Sequence, residues 1–360
     1  MRNNIVILAL AALAATAQTP TRKIDFPVDS PITAVSSDWS ETKATPRGGA
    51  YVLDVHAVLS LRNSSQKRIR GVMLAVQAQE VTPGGKGSVS VPSLDVAPGE
   101  AFPLRIDLPL MCPLGAGPNV EVKLDGVLFD DLTFYGSDRL NSRRRMTVWE
   151  LEARRDRKYF KTLLETAGNE GLQKEVLSSI ARQADRPSTG VQMVRGRSTN
   201  TDPEREVQFA FLHMPDSPVD PTGGSARIAG NEARAPHINI QNRSERAVKH
   251  LELGWIVKDQ QGREFLAASI PSDVSLAPGK SGLVTQDTAL RFSERTQVDS
   301  MTGFVSSAEY ADGSYWIPTR GELNDPKLRG VIAPSPEEQR LLQIYRKKGL
   351  NGLIEELKKF

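Results

Sequence analysis

One short sequence occurs twice in this chain, and the repeat restricts how the chain can fold. "LRNSSQKRIRGVML", at residues 61–74, is matched by "IQNRSERAVKHLEL" at residues 240–253, with Ile69 aligned to Val248. Two further pairs of segments, "VAPGE" with "LAPGK" and "GNEGLQKEVL" with "GLNGLIEEL", lie at nearly the same separation, about 180 residues. Because three segments share one separation, the sequence predicts an internal duplication of most of the chain.

Both copies contain strand patterns. In "YVLDVHAVLSLRN", residues 51–63, apolar residues alternate with polar ones, which is the period of a strand that buries one face. "HLELGWIVKD", residues 250–259, repeats this pattern, and Asp312-Gly313 is typical of a tight hairpin. Polar segments rich in Asn and Ser separate the strands, as in surface turns. The predicted fold is therefore mainly β with helices, with an antiparallel β-sandwich in each copy.

The turns and corners of these strands resemble a known kind of module. "VLSLRNSSQKRIRGVMLAV" followed by "LDVAPGEAF", and "LELGWIVKDQQGREF" in the second copy, resemble the bacterial extracellular immunoglobulin-like modules of the FxLYD and CARDB kind. The first copy departs from the pattern, because "QAQEVTPGGKGSVSV" replaces the Asp-x-x-Gly hairpin with a longer Gly-rich loop. The resemblance implies two immunoglobulin-like β-sandwiches that bind, space or scaffold at the cell envelope, and it transfers no catalytic residue.

Helix-forming sequence follows each predicted sandwich. In "SPEEQRLLQIYRKKG", Ser335 is the predicted N-cap, Pro336 the first helical residue and Glu338 the partner in a capping box. "VWELEARRDRKYFKTLLETAG" and "LQKEVLSSIARQA" occupy the same place in the first copy. We therefore expect each sandwich to be closed by its own helical hairpin.

These patterns predict the boundaries of the domains and of the segments between them. A stretch rich in Pro and Gly, residues 214–236, is expected to be an irregular loop that projects from the second copy. The predicted segments are a signal peptide at 1–17, a first immunoglobulin-like sandwich at 22–137, a helical hairpin at 138–185, a linker at 186–204, a second sandwich at 205–320 and a C-terminal helical hairpin at 335–360.

The first residues are typical of a secretory signal. Arg2 precedes an apolar run that ends near Ala15-Thr16-Ala17, a small-residue cleavage site. The run is shorter than the ~20 residues that cross a bilayer comfortably, so we predict cleavage and a periplasmic or extracellular protein with no stable transmembrane segment. Retention of the segment as an anchor is the alternative. The single cysteine, Cys112, permits no intramolecular disulfide, and its apolar surroundings predict a packed thiol with a raised pKa.

Composition and motifs restrict the partners and the chemistry. A formal net charge of +3 argues against nucleic acid as an obligate partner and leaves an envelope protein or polysaccharide as the expected one. The four histidines have no metal-ligand spacing, so we expect neither a metal nor a cofactor. No Gly-x-Ser-x-Gly segment occurs, and no catalytic residue is predicted. The oligomeric state stays open.

Two groups of residues are candidate binding surfaces. The aromatic residues Tyr310, Tyr315 and Trp316 surround the Asp312-Gly313 turn and could stack on a sugar ring or hold a peptide. Cross-strand packing is the simpler explanation. The basic residues Arg143, Arg144 and Arg145 could contact anionic polymers or lipid headgroups. Acidic residues follow them closely, so a solvated helix face with i, i+4 ion pairs is the alternative.

The resulting hypothesis is a non-enzymatic exported protein that binds or scaffolds a partner in the bacterial envelope through tandem immunoglobulin-like modules. A secreted hydrolase with its site between the two copies is one alternative. A homo-oligomeric structural component is another.

Cleavage of the signal gives a first testable prediction. Expressed in a bacterium with its leader, the exported protein should begin at Gln18, and N-terminal sequencing or intact mass should show this. Ala17→Leu should block cleavage, because the processing site requires a small residue there. An exported wild-type protein that still carries Arg2 would instead support the retained anchor.

Overall fold

The computed structural model describes residues 21–79, 84–113, 119–187, 191–195, 202–285, 288–293 and 296–360. The predicted signal peptide at 1–17 and part of the predicted linker lie outside the described residues. The fold is mostly β, with several sheets and few helices, as the sequence predicted at this level. The chain divides into two compact units, Met1–Thr147 and Val148–Phe360. Within the described residues, no helix combines the length and the apolar character needed to cross a membrane.

The first unit contains two sheets that share one core. One sheet has the order β1-β8-β5-β6, with β9 beside β8; the other has the order β2-β4-β3, with β7 also paired to β4. All pairings are antiparallel except β1 with β8. The strands are β1 (Thr21–Asp25), β2 (Ile32–Asp38), β3 (Lys43–Arg47), β4 (Ala50–Asn63), β5 (Ile69–Gln77), β6 (Lys86–Val91), β7 (Ala101–Pro113), β8 (Asn119–Phe129) and β9 (Phe134–Tyr135).

Strand β4 shows how sequence alternation produces this core. Alternate residues from Leu53 to Leu61 are buried, while the residues between them are partly or fully exposed. From Ala50 to Arg62 the strand pairs with β7 without a register shift. Buried residues from both sheets form one hydrophobic cluster, so the apolar face of each sheet is removed from water by the other.

The second unit also contains two sheets on a shared core. One has the order β10-β18-β14-β13-β11, with β17 paired to β14; the other has the order β12-β19-β15-β16, with β20 paired to β19. The strands are β10 (Val191–Arg195), β11 (Arg205–Gln208), β12 (Ala210–Phe211), β13 (Val219–Ala229), β14 (Glu232–Asn242), β15 (Val248–Asp259), β16 (Glu264–Leu276), β17 (Ser281–Thr285), β18 (Thr288–Phe292), β19 (Val298–Tyr310) and β20 (Tyr315–Trp316).

The prediction of an irregular, projecting loop at residues 214–236 is wrong. Most of this stretch forms β13 and the start of β14, which pair as an antiparallel hairpin. Register shifts next to Pro221 and after Ser225 accommodate residues that a regular strand excludes. At Gly224 an added Cβ would lie 2.4 Å from the carbonyl oxygen of His237, so glycine permits the close approach of the two strands. In addition, β10 pairs with β18, which places a strand inside the predicted linker.

The helices depart from the expectation that each hairpin closes its own sandwich. Helix α1 (Ser142–Asp185) is broken at Gly168 (φ 65°, ψ −165°), and α3 (Pro336–Leu357) is broken at Gly349 (φ 67°, ψ −170°). Each therefore consists of two helical halves that meet at a glycine. A short helix, α2 (Pro326–Arg329), precedes α3. The second unit contains one cluster built from both α1 and α3, so these two elements share a core: Phe160, Leu172, Val176, Leu341, Leu342, Leu353 and Leu357.

The N-terminus of α3 forms as predicted, with one difference. The Ser335 hydroxyl accepts a hydrogen bond from the Glu338 amide at 3.1 Å, so Ser335 is the N-cap. The Glu338 carboxylate binds Arg320 and Ser179. The glutamate of the predicted capping box thus serves a tertiary ion pair.

The Asn-containing turn of the first unit is held by one buried side chain. Asn63 has no exposed surface, and its Nδ2 donates to the carbonyl oxygens of Lys67 at 2.9 Å and Val96 at 3.2 Å. Its Oδ1 accepts from the Ser65 amide at 3.0 Å. The side chain therefore satisfies backbone groups of the turn and of the segment beside it.

The matching turn of the second unit has the same bonds. Asn242 is also fully buried, and its Nδ2 donates to Arg246 at 2.8 Å and to Leu276 at 2.9 Å, both at backbone oxygens. Its Oδ1 accepts from the Ser244 amide at 2.9 Å. Each asparagine therefore has a structural role in its turn.

Removal of either asparagine amide should destabilise the protein. Asn63→Ala leaves one buried and one part-buried carbonyl oxygen, and one amide, without their partner, so we expect a loss of about 2–4 kcal/mol in the free energy of unfolding, measured with urea. Asn242→Ala should cost a similar amount. Ser64→Ala, at an exposed side chain in the same turn, should change stability by less than about 0.5 kcal/mol. Equal stability of the Asn63→Ala and Ser64→Ala proteins would contradict this role.

Candidate functional site

The second unit contains a cavity of about 360 Å³ between the first half of α1, one sheet and the segment that leads into α3. We call it the Glu152 cavity. Its apolar walls include Trp149 from α1, Leu266 from β16, Phe304 from β19, and Pro318 and Ile332 from the C-terminal segment. The polar side chains that line it are those of Glu152, Arg155, Glu252, Ser269, Ser306, Ser307 and Ser335.

The cavity exists because the sheet that contains β15 is apolar on both faces. Trp255 is fully buried in the core that the two sheets share. The neighbouring Ile256, together with Phe304, belongs to a second buried cluster that includes Leu328 of α2 and Val331. The run Trp255-Ile256-Val257 is accordingly continuous in apolar character, as expected for a strand covered on both sides.

The strand pairing around Glu252, which lines the cavity, is irregular. The β15–β19 register shifts between Glu252 and Leu253, and the β15–β16 register shifts between Leu253 and Trp255. Such bulges change the direction in which a strand presents its side chains. At Gly254 an added Cβ would lie 2.4 Å from the Phe304 ring, so glycine lets this aromatic wall lie against the sheet.

Glu152 carries the largest electrostatic perturbation in the cavity. Burial among low-polarity walls raises its pKa to about 7, because a carboxylate loses hydration there. The charge of Arg155 opposes this shift, and the charges of Asp156 and Glu252 reinforce it. Within the described residues, no hydrogen bond or ion pair holds the Glu152 carboxylate. Near neutral pH the group is therefore divided between its protonated and ionised forms.

The second carboxylate, that of Glu252, has different surroundings. Its Oε2 accepts a hydrogen bond from the Ser269 hydroxyl at 3.3 Å, and its backbone oxygen accepts one from the Ser306 hydroxyl at 3.1 Å. The nearby cation, Arg155, is engaged elsewhere, because its Nε donates to Asp156 at 2.9 Å and its Nη1 to the Pro318 oxygen at 3.0 Å. The cavity thus has an excess of acidic groups.

A buried ionic network fixes the helix that carries Glu152. Asp156 is fully buried and accepts a hydrogen bond from the Ser335 hydroxyl at 2.6 Å. Arg320 lies 3.4 Å from Asp156 and donates to Glu338 at 2.7 Å. Burial would raise the pKa of Glu338, but the hydrogen bond and charge of Arg320 lower it overall. The network ties α1 to the start of α3.

The predicted aromatic surface lies on the β19–β20 hairpin. Gly313 has a φ of 83°, and the Tyr310 amide donates to the Ser314 oxygen at 2.9 Å, so the predicted turn forms. Tyr310 and Trp316 are partly buried against the core, as the packing alternative required. The Arg246 guanidinium lies 3.7 Å from the centre of the Tyr310 ring. Of Tyr310, Tyr315 and Trp316, none lines the Glu152 cavity.

The predicted basic surface lies at the start of α1. Arg143 and Arg145 are exposed and Arg144 is half-buried, all within the first unit. Farther along the helix, the expected i, i+4 pair forms between Arg154 and Glu150, at 3.0 Å.

The expectation that the acidic residues after Arg145 face solvent is wrong. Glu150, Asp156 and Arg157 are buried, and Arg157 lies 2.8 Å from Glu150.

Sequence reasoning missed Glu152 and Glu252 as site residues, because they lie in no recognisable motif and far apart in the chain. The one available signal was the density of charge in "WELEARRDRKYF", which exceeds what a single solvated helix face requires.

The remaining candidate residues lie in ordinary structural positions. His56 lies 2.8 Å from Asp107, and the buried His250 lies 2.7 Å from Asp273. No group of three or more potential metal ligands occurs in the part of the chain that the structure describes. Cys112 is buried, and burial raises the pKa of its thiol, in agreement with the sequence.

Comparisons with known proteins assign no family to this chain. No protein family model matches the chain, and no curated protein sequence matches it. Among solved structures, a selenomethionine-labelled β-glucosidase from Kluyveromyces marxianus is 8% identical over 71% of this chain and 45% of its own, with a TM-score of 0.17. The same enzyme with glucose is 9% identical over 74% and 46%, also at 0.17. The chain spans less than half the length of these structures, and such TM-scores establish no shared fold.

The pKa of Glu152 predicts a pH dependence of stability. The folded state holds this proton up to pH ~7, whereas the unfolded chain releases it near pH ~4.5, so stability should fall as pH rises between these values. Glu152→Gln should remove this loss and make the variant about 1–3 kcal/mol more stable than the wild type at pH 8, but not at pH 4.

Urea unfolding across the pH range measures this difference between variant and wild type. Glu165→Gln, at an exposed position of the same helix, is the control and should leave the profile unchanged. Parallel pH profiles for the wild type and Glu152→Gln would show that burial does not perturb this carboxyl group.

Proposed function

We propose that this chain is an exported, non-enzymatic binding or scaffolding protein of the bacterial envelope, built from two immunoglobulin-like β-sandwich modules of the FxLYD and CARDB kind. The sequence resemblance supports the module type. Support for the duplication comes from the equivalent hydrogen bonds of Asn63 and Asn242 and from the matching breaks at Gly168 and Gly349. The two sheets that share a core in each unit are compatible with a pair of sandwiches.

The Glu152 cavity is the observation that carries the binding function. It combines apolar walls with a few convergent polar groups, and its volume lies near the lower limit of ligand pockets, which starts at ~300 Å³. None of the residues that line it is a histidine or a cysteine. The hydroxyls of Ser269 and Ser306 donate to the Glu252 carboxylate and to a backbone oxygen, so neither is paired with the imidazole base of a serine hydrolase. The proposed protein or glycan partner contacts the second module at this cavity.

One specific observation favours a hydrolase as the second candidate. Glu152, with a pKa of about 7, and Glu252 line the same cavity, and a pair of carboxyl groups is the usual arrangement for general acid–base hydrolysis of glycosides. In this case the site lies within the second unit, and the cavity binds a substrate.

A cavity-filling variant tests the binding function. Ser269→Phe places a ring in the cavity, so capture of envelope proteins or glycans by the tagged, exported protein should be lost. Ser275→Phe makes the same substitution at an exposed position of β16 and should retain the captured set. Both variants should keep the wild-type melting temperature within a few degrees. If the two variants capture the same set of partners, the cavity is not part of the binding site.

Substrate profiling separates binding from hydrolysis. The wild-type protein should turn over no glycoside or ester in a broad panel. If the wild type and Glu165→Gln turn over a substrate and Glu152→Gln does not, the protein is a hydrolase and the non-enzymatic binding function is wrong.

A further inference from the structure

The Glu152 cavity has a distinct charge pattern. Two carboxylates, from α1 and β15, line it beside apolar walls. The groups that face Glu152 are Arg155 and Asp156 on its own helix and Glu252 on the sheet. Because Arg155 and Asp156 pair with each other, the charge that remains is that of the two glutamates. A bound cation is the ligand that this arrangement complements.

The position of the two carboxylates distinguishes between possible cations. They come from different elements, so they present oxygens to a ligand from two directions. A guanidinium is a planar fork that matches the two oxygens of one carboxylate, whereas an ammonium has three rotatable donors and is compact. An ammonium can therefore donate to Glu152, to Glu252 and to a hydroxyl such as that of Ser269.

The walls define the rest of the ligand. Trp149, Leu266 and Phe304 provide apolar surface, against which a polar ligand would lose its hydration without gaining hydrogen bonds. A lysine side chain has the matching form, since its four-carbon stem packs on apolar surface while its ammonium stays polar. The volume of about 360 Å³ suits one such side chain and its immediate neighbours better than a large folded element.

We propose that the Glu152 cavity binds a lysine side chain of a partner protein, with the ammonium between Glu152 and Glu252 and the stem against Trp149, Leu266 and Phe304. This inference rests on the proposed binding function and specifies its partner as a protein. Binding also favours the ionised form of Glu152, so the complex releases a proton near neutral pH, where the free group is partly protonated.

Peptide titration tests the proposal with the full exported chain. The probe is acetyl-Gly-Gly-Lys-Gly-Gly-amide, and the controls replace lysine with Nε-acetyl-lysine or arginine. We expect the lysine peptide to bind about tenfold more tightly than either control, a difference of about 1.4 kcal/mol. Glu152→Gln and Glu252→Gln should each remove most of this preference, and Glu165→Gln should retain it.

The proton release gives an independent readout. Calorimetric enthalpies near pH 7 should depend on the ionisation enthalpy of the buffer for the wild type, and this dependence should vanish in Glu152→Gln. Equal binding of the lysine and acetyl-lysine peptides, or no binding of the lysine peptide, would overturn the proposal. If Ser269→Phe nevertheless loses capture of a partner, the binding function stands and only the ligand class is wrong. If capture does not depend on Ser269 either, the binding function and the ligand class are both wrong.

Discussion

The sheet that contains β15 is apolar on both faces, and the site of the second unit depends on this constraint. Trp255 fills the core between the two sheets, while Phe304 and Ile256 require apolar cover on the opposite face. Leu328 and Val331 pack in one cluster with these residues. The Glu152 cavity adjoins the cluster, with Phe304 in its wall. An apolar sheet face that borders a cavity is the physical basis of the proposed binding site.

The position of Glu152 depends in turn on buried charges. Asp156 lies one helical turn beyond Glu152 and is held by Ser335 and Arg320. Because a buried, ionised carboxylate without partners is strongly unfavourable, Asp156 favours the placement of α1 in which these partners meet it. That requirement fixes the face of the helix that Glu152 occupies. Removal of the Asp156 partners would therefore disturb the cavity as well as the helix pair.

Local features of the fold could be predicted because they depend on residues near one another in sequence. The alternation in β4, the turn at Gly313 and the N-cap at Ser335 all follow from short-range sterics and hydrogen bonds. The stretch at 214–236 could not be predicted this way. Its prolines and glycines indicate a loop when read alone, but register shifts in the β13–β14 hairpin accommodate them, and only strand pairing reveals those shifts.

The sequence by itself determined the mostly β character, the two broken helices and the buried thiol of Cys112, because each follows from hydrophobic period, capping or local polarity. Tertiary structure alone decided that both helices share one core and that Glu152 and Glu252 line one cavity. The physical reason is desolvation. A carboxyl group acquires an unusual pKa only from everything packed around it, and residues a hundred positions apart supply those surroundings.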